Sequence, residues 1–210
     1  MNRTRLLAAL LLLTGVAAPT ALQALEFGVG VGSTTTWHVN DSARLAGQGV
    51  ESGFALTLGL GGEDWRGELL LRTEDAYDYN GTDRWTEATI FGVAAARTLL
   101  ERDWFRLDAR AALLLASRTL TIDTDAASID SWSPGLEIGA GAEVLLPRRV
   151  TRDRFRLGLR LDLGWTQIIG TEQTLELQTA VPAGANPGQV ALGRWHEAGP
   201  MLRTAVVLRF

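Results

Sequence analysis

The segment from Pro200 to Phe210 constrains the fold more than any other part of the chain. Read with a period of two, Leu202, Thr204, Val206, Leu208 and Phe210 share one face, while Met201, Arg203, Ala205, Val207 and Arg209 share the other. One face is apolar and finishes on an aromatic ring; the other carries both arginines. A β-strand separates the two sets cleanly, and such a strand has to place its faces in different surroundings.

Seven further stretches repeat the alternation. Leu25 to Trp37 sets Phe27, Val29 and Val31 against Gly28, Gly30 and Gly32, and Ser52 to Gly61 sets Phe54, Leu56, Leu58 and Leu60 against Ala55, Thr57 and Gly59. Trp65 to Asp75 opposes Trp65, Leu69 and Leu71 to Arg66, Glu68, Arg72 and Glu74. Trp85 to Thr98 has no settled phase, because Phe91 and Val93 argue for one face and Ile90 for the other. Trp104 to Arg118 opposes Phe105, Leu107, Leu113 and Leu115 to Arg106, Asp108 and Arg110. Pro134 to Leu146 opposes Leu136, Ile138, Val144 and Leu146 to Glu137, Gly139, Gly141 and Glu143. Arg154 to Gln167 gives the cleanest pattern, with Phe155, Leu157, Leu159, Leu161, Leu163 and Trp165 against Arg154, Arg156, Arg160 and Asp162. The final strand extends from about Glu197, with Pro200 predicting a bulge or the end of regular pairing. The Gly-x-Gly-x-Gly of the first stretch is not a dinucleotide loop, since no helix pattern follows it.

Connections between these stretches alternate in length: short at Gly61 to Asp64, Leu99 to Asp103 and Pro147 to Asp153, long at His38 to Glu51, Ala76 to Arg84, Thr119 to Ser133 and Gly170 to Arg194. Such sorting is expected of a barrel whose two ends meet different compartments. Beyond Leu25 no apolar run is long enough for a membrane helix. Six tryptophans, Trp37, Trp65, Trp85, Trp104, Trp132 and Trp165, together with Trp195, fall near strand ends, as two interfacial aromatic girdles require.

The first 24 residues read as a secretory signal peptide: Arg3 and Arg5, the apolar run Leu6 to Val16, and a small-residue region ending at Ala24. Residues 25–210 then form one domain. Removing the two arginines takes the formal charge from −4 to about −6, against nucleic acid as a partner. The absence of cysteine excludes a disulfide framework and a thiolate metal site. All 20 basic residues are arginine, which an arginine-favouring codon bias explains more simply than chemistry does.

The final strand, with inward arginines and a terminal Phe210, resembles the closing strand of bacterial outer-membrane β-barrels. Across the mature chain the architecture resembles the small barrels of the outer membrane protein A, outer membrane protein X and opacity type. The resemblance implies an all-β transmembrane antiparallel up-and-down barrel of eight strands in a Gram-negative outer membrane, with both termini periplasmic. It implies that Thr204, Val206, Leu208 and Phe210 serve the barrel assembly machinery. The implied partners are outer-membrane lipid and lipopolysaccharide, and an extracellular ligand at the loops.

A lumen of about eight strands is just wide enough to be filled by side chains, so its charges have to pair. Arg66, Glu68, Arg72, Glu74, Arg106, Asp108, Arg110, Glu137, Glu143, Arg156, Arg160, Asp162 and Arg203 are the predicted interior charges. Glu143 is expected to lie between Arg106 or Arg110 and Arg156 or Arg160. Arg66, Glu68, Arg72 and Glu74 form a second expected cluster. A structural plug is the reading preferred over a narrow small-solute pore. Strand closure also brings His38, Asp41, Ser42, His196 and Glu197 toward one rim, a weak candidate site for a lipid A-modifying enzyme. No His-x-Ser motif supports it, and no cofactor or metal is assigned. The segment Thr171 to Gly193, with Leu175, Leu177, Val181 and Val190, is apolar enough for an extra hairpin or a partner contact.

Overall fold

Alternation of side chains fixes which face of each strand turns inward, and antiparallel pairing closes the sheet on itself. The computed structural model describes residues 25–39, 49–79, 83–122, 127–147, 155–170, 172–177, 189–194 and 196–210. The signal-peptide expectation therefore lies outside the described residues. The strands are β1 (Glu26–Trp37), β2 (Val50–Gly61), β3 (Trp65–Tyr79), β4 (Asp83–Arg102), β5 (Phe105–Ile122), β6 (Ala127–Leu145), β7 (Arg156–Ile168), β8 (Glu172–Leu177), β9 (Gln189–Arg194) and β10 (Glu197–Arg209).

Eight of them form a closed barrel. Neighbours run β5-β4-β3-β2-β1-β10-β7-β6, and pairing of β5 with β6 closes the ring. All pairings are antiparallel, so the backbone bonds of the wall run between its own strands, as crossing a bilayer requires, with one register shift of β4 against β5 between Thr98 and Leu100. At the seam, β1 pairs with β10 from Gly28 with Arg209 to Thr36 with Met201. Phe27 and Phe210 exchange backbone hydrogen bonds there, and their rings stack at 6.2 Å.

One expectation is revised, one is met in its second form, and one open phase is settled. Several strands are longer than the alternation indicated: β3 continues to Tyr79, β4 runs from Asp83 to Arg102, β5 continues to Ile122, and β6 begins at Ala127. Pro200 makes no bulge against β7, where it pairs with Trp165 in unbroken register. On its other side the pairing with β1 ends at Met201, as expected next to a residue without an N–H. The phase of β4 is settled: Phe91 and Val93 face out, while Ala88, Ile90 and Ala94 face in. The segment expected to form an extra hairpin does so, with β8 and β9 paired and β8 attached to the end of β6 at Ala127 and Ser128.

The outer face is apolar. Leu69, Val93, Leu113, Ile138, Leu159 and Val206 are exposed. Outward hydroxyls near the seam pair with one another between strands, Ser33 with Thr204 at 2.9 Å and Thr35 with Ser52 at 3.2 Å, so they are not presented bare to lipid. Trp37, Trp65, Trp85, Trp104, Trp132 and Trp165 are exposed, the first four at or beside strand ends and Trp132 and Trp165 a few residues inside β6 and β7, with Trp85 donating to Glu87 at 2.9 Å; Trp195 lies outside the described residues. Thr204, Val206, Leu208 and Phe210 are on the outer side of β10, and Val206 and Phe210 are exposed.

Candidate functional site: an ionic lumen and its mouth

Period-two placement from five strands delivers eight charged groups to one level of the lumen, and they link into a closed cycle of alternating sign. Glu137 on β6 meets Arg110 on β5 at 3.1 Å, and Arg110 meets Glu68 on β3 at 3.1 Å. Glu68 meets Arg66 at 2.7 Å, and Arg66 reaches Asp108 on β5 at 3.2 Å. Asp108 receives Arg160 on β7 at 2.8 Å, and Arg160 meets Asp162 at 2.8 Å. Asp162 accepts from Arg203 on β10 at 3.0 Å, and Arg203 returns to Glu137 at 3.1 Å. Four acids and four arginines balance. Buried charges of this kind lose several kcal/mol of hydration each and persist only where every one is paired; these eight are, and all are buried.

Branches leave the cycle toward both ends. Toward the long loops, Arg72 joins Glu137 at 2.9 Å to Glu74 at 3.5 Å, and Glu74 also accepts from Thr34 and Thr36 at 3.2 Å. Toward the short turns, Arg160 approaches Glu143 at 3.7 Å, and Glu143 is clasped by Arg209. Arg209 continues to Glu26 at 3.1 Å, which Arg106 shares at 3.1 Å while also holding Glu101 at 2.7 Å. Arg156 donates to the Asp103 carbonyl.

Thus all thirteen predicted interior charges are buried, but their pairing differs from expectation. Arg106 and Arg160 do flank Glu143 in register. The principal partner of Glu143 is instead Arg209, because Glu26 and Glu101 draw Arg106 toward the short turns. The expected separate cluster of Arg66, Glu68, Arg72 and Glu74 is part of the same network. One wall of the lumen is apolar, formed by Leu70, Ala88, Ile90, Ala94, Ala112, Leu114 and Ala116 together with Ile168 beyond Gly135. The unsettled phase of β4 hid that wall.

A second group sits at the long-loop mouth. His38 follows β1, held between its neighbours by backbone bonds from His38 N–H to the Gly49 carbonyl at 2.6 Å and from Val39 N–H to the Ala198 carbonyl at 2.9 Å. Its Nε2 lies 3.2 Å from Glu51 Oε2 on β2, without hydrogen-bond alignment. Arg118 on β5 reaches across to both Glu51 oxygens at 3.0 Å and to Glu197 on β10. Burial works against a proton on His38, and the contact with Glu51 and the charges of Glu51 and Glu197 outweigh it, so the imidazole titrates above its ordinary value of 6.5.

The rim site expected from sequence is brought together only in part. His38 and Glu197 meet, but His196 is half-exposed on the alternate side of the strand, and Asp41 and Ser42 lie outside the described residues. No described hydroxyl hydrogen-bonds either ring nitrogen of His38, so no described serine is presented to it as a nucleophile. Glu51 and Arg118 were missed. Glu51 read as loop, and nothing local shows that Arg118 faces it across the lumen.

A closed antiparallel barrel with an apolar exterior and an ionic interior defines a transmembrane β-barrel protein. The chain matches the outer membrane protein beta-barrel domain over residues 7–180, and it belongs to that family. Among solved structures it is similar to a major outer membrane protein from Thermus thermophilus, with a TM-score of 0.57 at 14% identity over 90% of this chain and 100% of that one. It is also similar to the outer membrane protein OprG from Pseudomonas aeruginosa, with a TM-score of 0.52 at 12% identity over 90% and 97%. Comparison with curated protein sequences gives no match. The protein is an outer-membrane β-barrel of a Gram-negative cell envelope.

Proposed function

We propose that this barrel is a structural and surface-interaction component of the outer membrane, closed to solutes by its own side chains, with recognition carried by the long-loop end. The observation that carries the reading is the eight-membered ionic cycle, which ties β3, β5, β6, β7 and β10 together across the lumen. Beside it, Gly28, Gly30, Arg66, Glu143 and Arg209 line a cavity of about 30 Å³. That is room for about one water, not a conduction path. In this reading the short turns and both termini are periplasmic, and the four long connections with the β8–β9 hairpin face outward.

The test is planar-bilayer recording of the folded barrel. A closed barrel gives no discrete current steps. A narrow pore gives steps that shift in Glu143→Gln or Arg160→Gln, and that result overturns the proposal.

A further inference from the structure

The mouth group of His38, Glu51, Glu197 and Arg118 does more than close the lumen. Two carboxylates and one guanidinium leave one negative charge over, at a place where Glu51 and Glu197 are 5% and 1% exposed. The imidazole beside them is 4% exposed, and neither ring nitrogen has a hydrogen-bond partner among the described residues. A buried histidine normally commits at least one nitrogen to a hydrogen bond. Here a basic nitrogen and two acidic oxygens converge on one point, where either a proton on Nε2 or a metal ion supplies the remaining positive charge.

We propose that His38, Glu51 and Glu197 form a binding site for a divalent first-row transition-metal ion of the zinc class at the long-loop mouth of the barrel. Each residue offers one ligand atom, and the three atoms lie within 4.8 Å of one another. Tetrahedral zinc with bonds of about 2.0–2.2 Å needs donors roughly 3.3–3.5 Å apart. The His38 and Glu51 atoms already meet that spacing at 3.2 Å. The Glu197 atom, within 4.8 Å of the other two, closes in as the ion binds. The backbone is set for this, since the ligands come from the β1 extension and its two hydrogen-bonded neighbours, β2 and β10.

One imidazole with two carboxylates selects the class of ion. Magnesium and calcium favour oxygen ligands throughout, whereas imidazole suits zinc and its first-row neighbours. Arg118 acts behind the ligands. Each carboxylate has lone pairs for both a guanidinium and an ion, so Arg118 orients Glu51 and Glu197 as an outer-shell partner. Its charge also weakens the hold on a dication, so micromolar rather than nanomolar binding is expected. A proton and the metal compete for Nε2.

The experiment uses the full folded chain in detergent, purified without a polyhistidine tag, and titrates Zn²⁺ alone by calorimetry, with Co²⁺ absorption as a spectroscopic check. The expected result is one ion per chain and a higher unfolding midpoint. Affinity falls at least ~10-fold in His38→Gln and in Glu51→Gln, the loss of one good ligand, and is unchanged in His196→Ala. Folding of each variant is verified by its unheated gel mobility. Absence of binding overturns the proposal, as does binding of equal affinity in the His38→Gln and Glu51→Gln variants. An unfolding midpoint that follows pH through His38 while ignoring Zn²⁺ also overturns it, since the site is then a proton site only.

Discussion

Arg160 closes both terminal nitrogens on the carboxylate of Asp108, Nη1 to Oδ2 at 3.0 Å and Nη2 to Oδ1 at 2.8 Å, across the strand that separates them. The two residues stand on β7 and β5, and the intervening β6 contributes Gly141, paired in register with Asp108 on one side and Asp162 on the other. A two-point guanidinium–carboxylate contact needs both groups in one plane. The glycine leaves that plane free.

Gly141→Ala is therefore expected to break the cycle at this link. A Cβ there would fall on Asp162 Oδ1 and Arg160 Nη2 and come within 2.8 Å of Asp108 Oδ1. The predicted cost is about 1–3 kcal/mol, the range for overfilling a packed interior, read from urea unfolding in phospholipid vesicles. Gly67→Ala is the control, because its Cβ would approach nothing closer than the Leu60 carbonyl at 3.8 Å. A variant at Gly141 as stable as the one at Gly67 would count against the packing described.

Glu137 is the busiest acid of the lumen, meeting Arg72 at 2.9 Å and Arg110 and Arg203 at 3.1 Å, with Thr166 Oγ1 donating at 3.4 Å. Removing it strands buried positive charge. Glu137→Ala should cost about 3–5 kcal/mol, and Glu137→Gln, which keeps the shape, tests the charge alone. Unfolding free energies changed by less than ~0.5 kcal/mol, the scale of a neutral surface change, would show that the arginines find other partners.

Much of this was legible in the residues, and the boundary has a physical cause. Arg154 to Gln167 and Pro200 to Phe210 alternate so cleanly that their inward faces could be read residue by residue, and the alternating loop lengths pointed to a barrel with two different ends. Alternation says which side a residue faces and nothing about its height against a strand three places away. The link from Arg110 to Glu68, and from Arg118 to Glu51, depends on the stagger set by barrel closure. Small residues on β4 gave no phase at all, so the apolar wall around Ile90 emerged only with the fold.

Contact of the outer face with lipid makes a prediction opposite to that for a water-soluble surface. Leu159 is 66% exposed on the outer face of β7, paired with Val206 and Val144 and lying between Phe155 and Trp165 along the chain. Leu159→Arg should destabilise the barrel by about 2–4 kcal/mol in vesicles. Equal stability of variant and parent would remove the lipid from that face.

Orientation is open to direct labelling because the chain has no cysteine. With the long connections outward, Ala185→Cys should react with a membrane-impermeant maleimide on intact cells. Glu63→Cys, in the short turn after β2, should react only once the outer membrane is permeabilised. The reverse pattern would invert the barrel.

A double-mutant cycle between Asp108 and Arg160 is the most direct measurement of whether opposite walls are tied through the lumen. Unfolding free energies in vesicles would be taken for the parent, Asp108→Ala, Arg160→Ala and the pair. Strong coupling is expected, of order 1–3 kcal/mol, with the double variant little worse than the weaker single one. Strictly additive losses would mean that the two groups do not feel each other, and that the ionic cycle does not span the barrel.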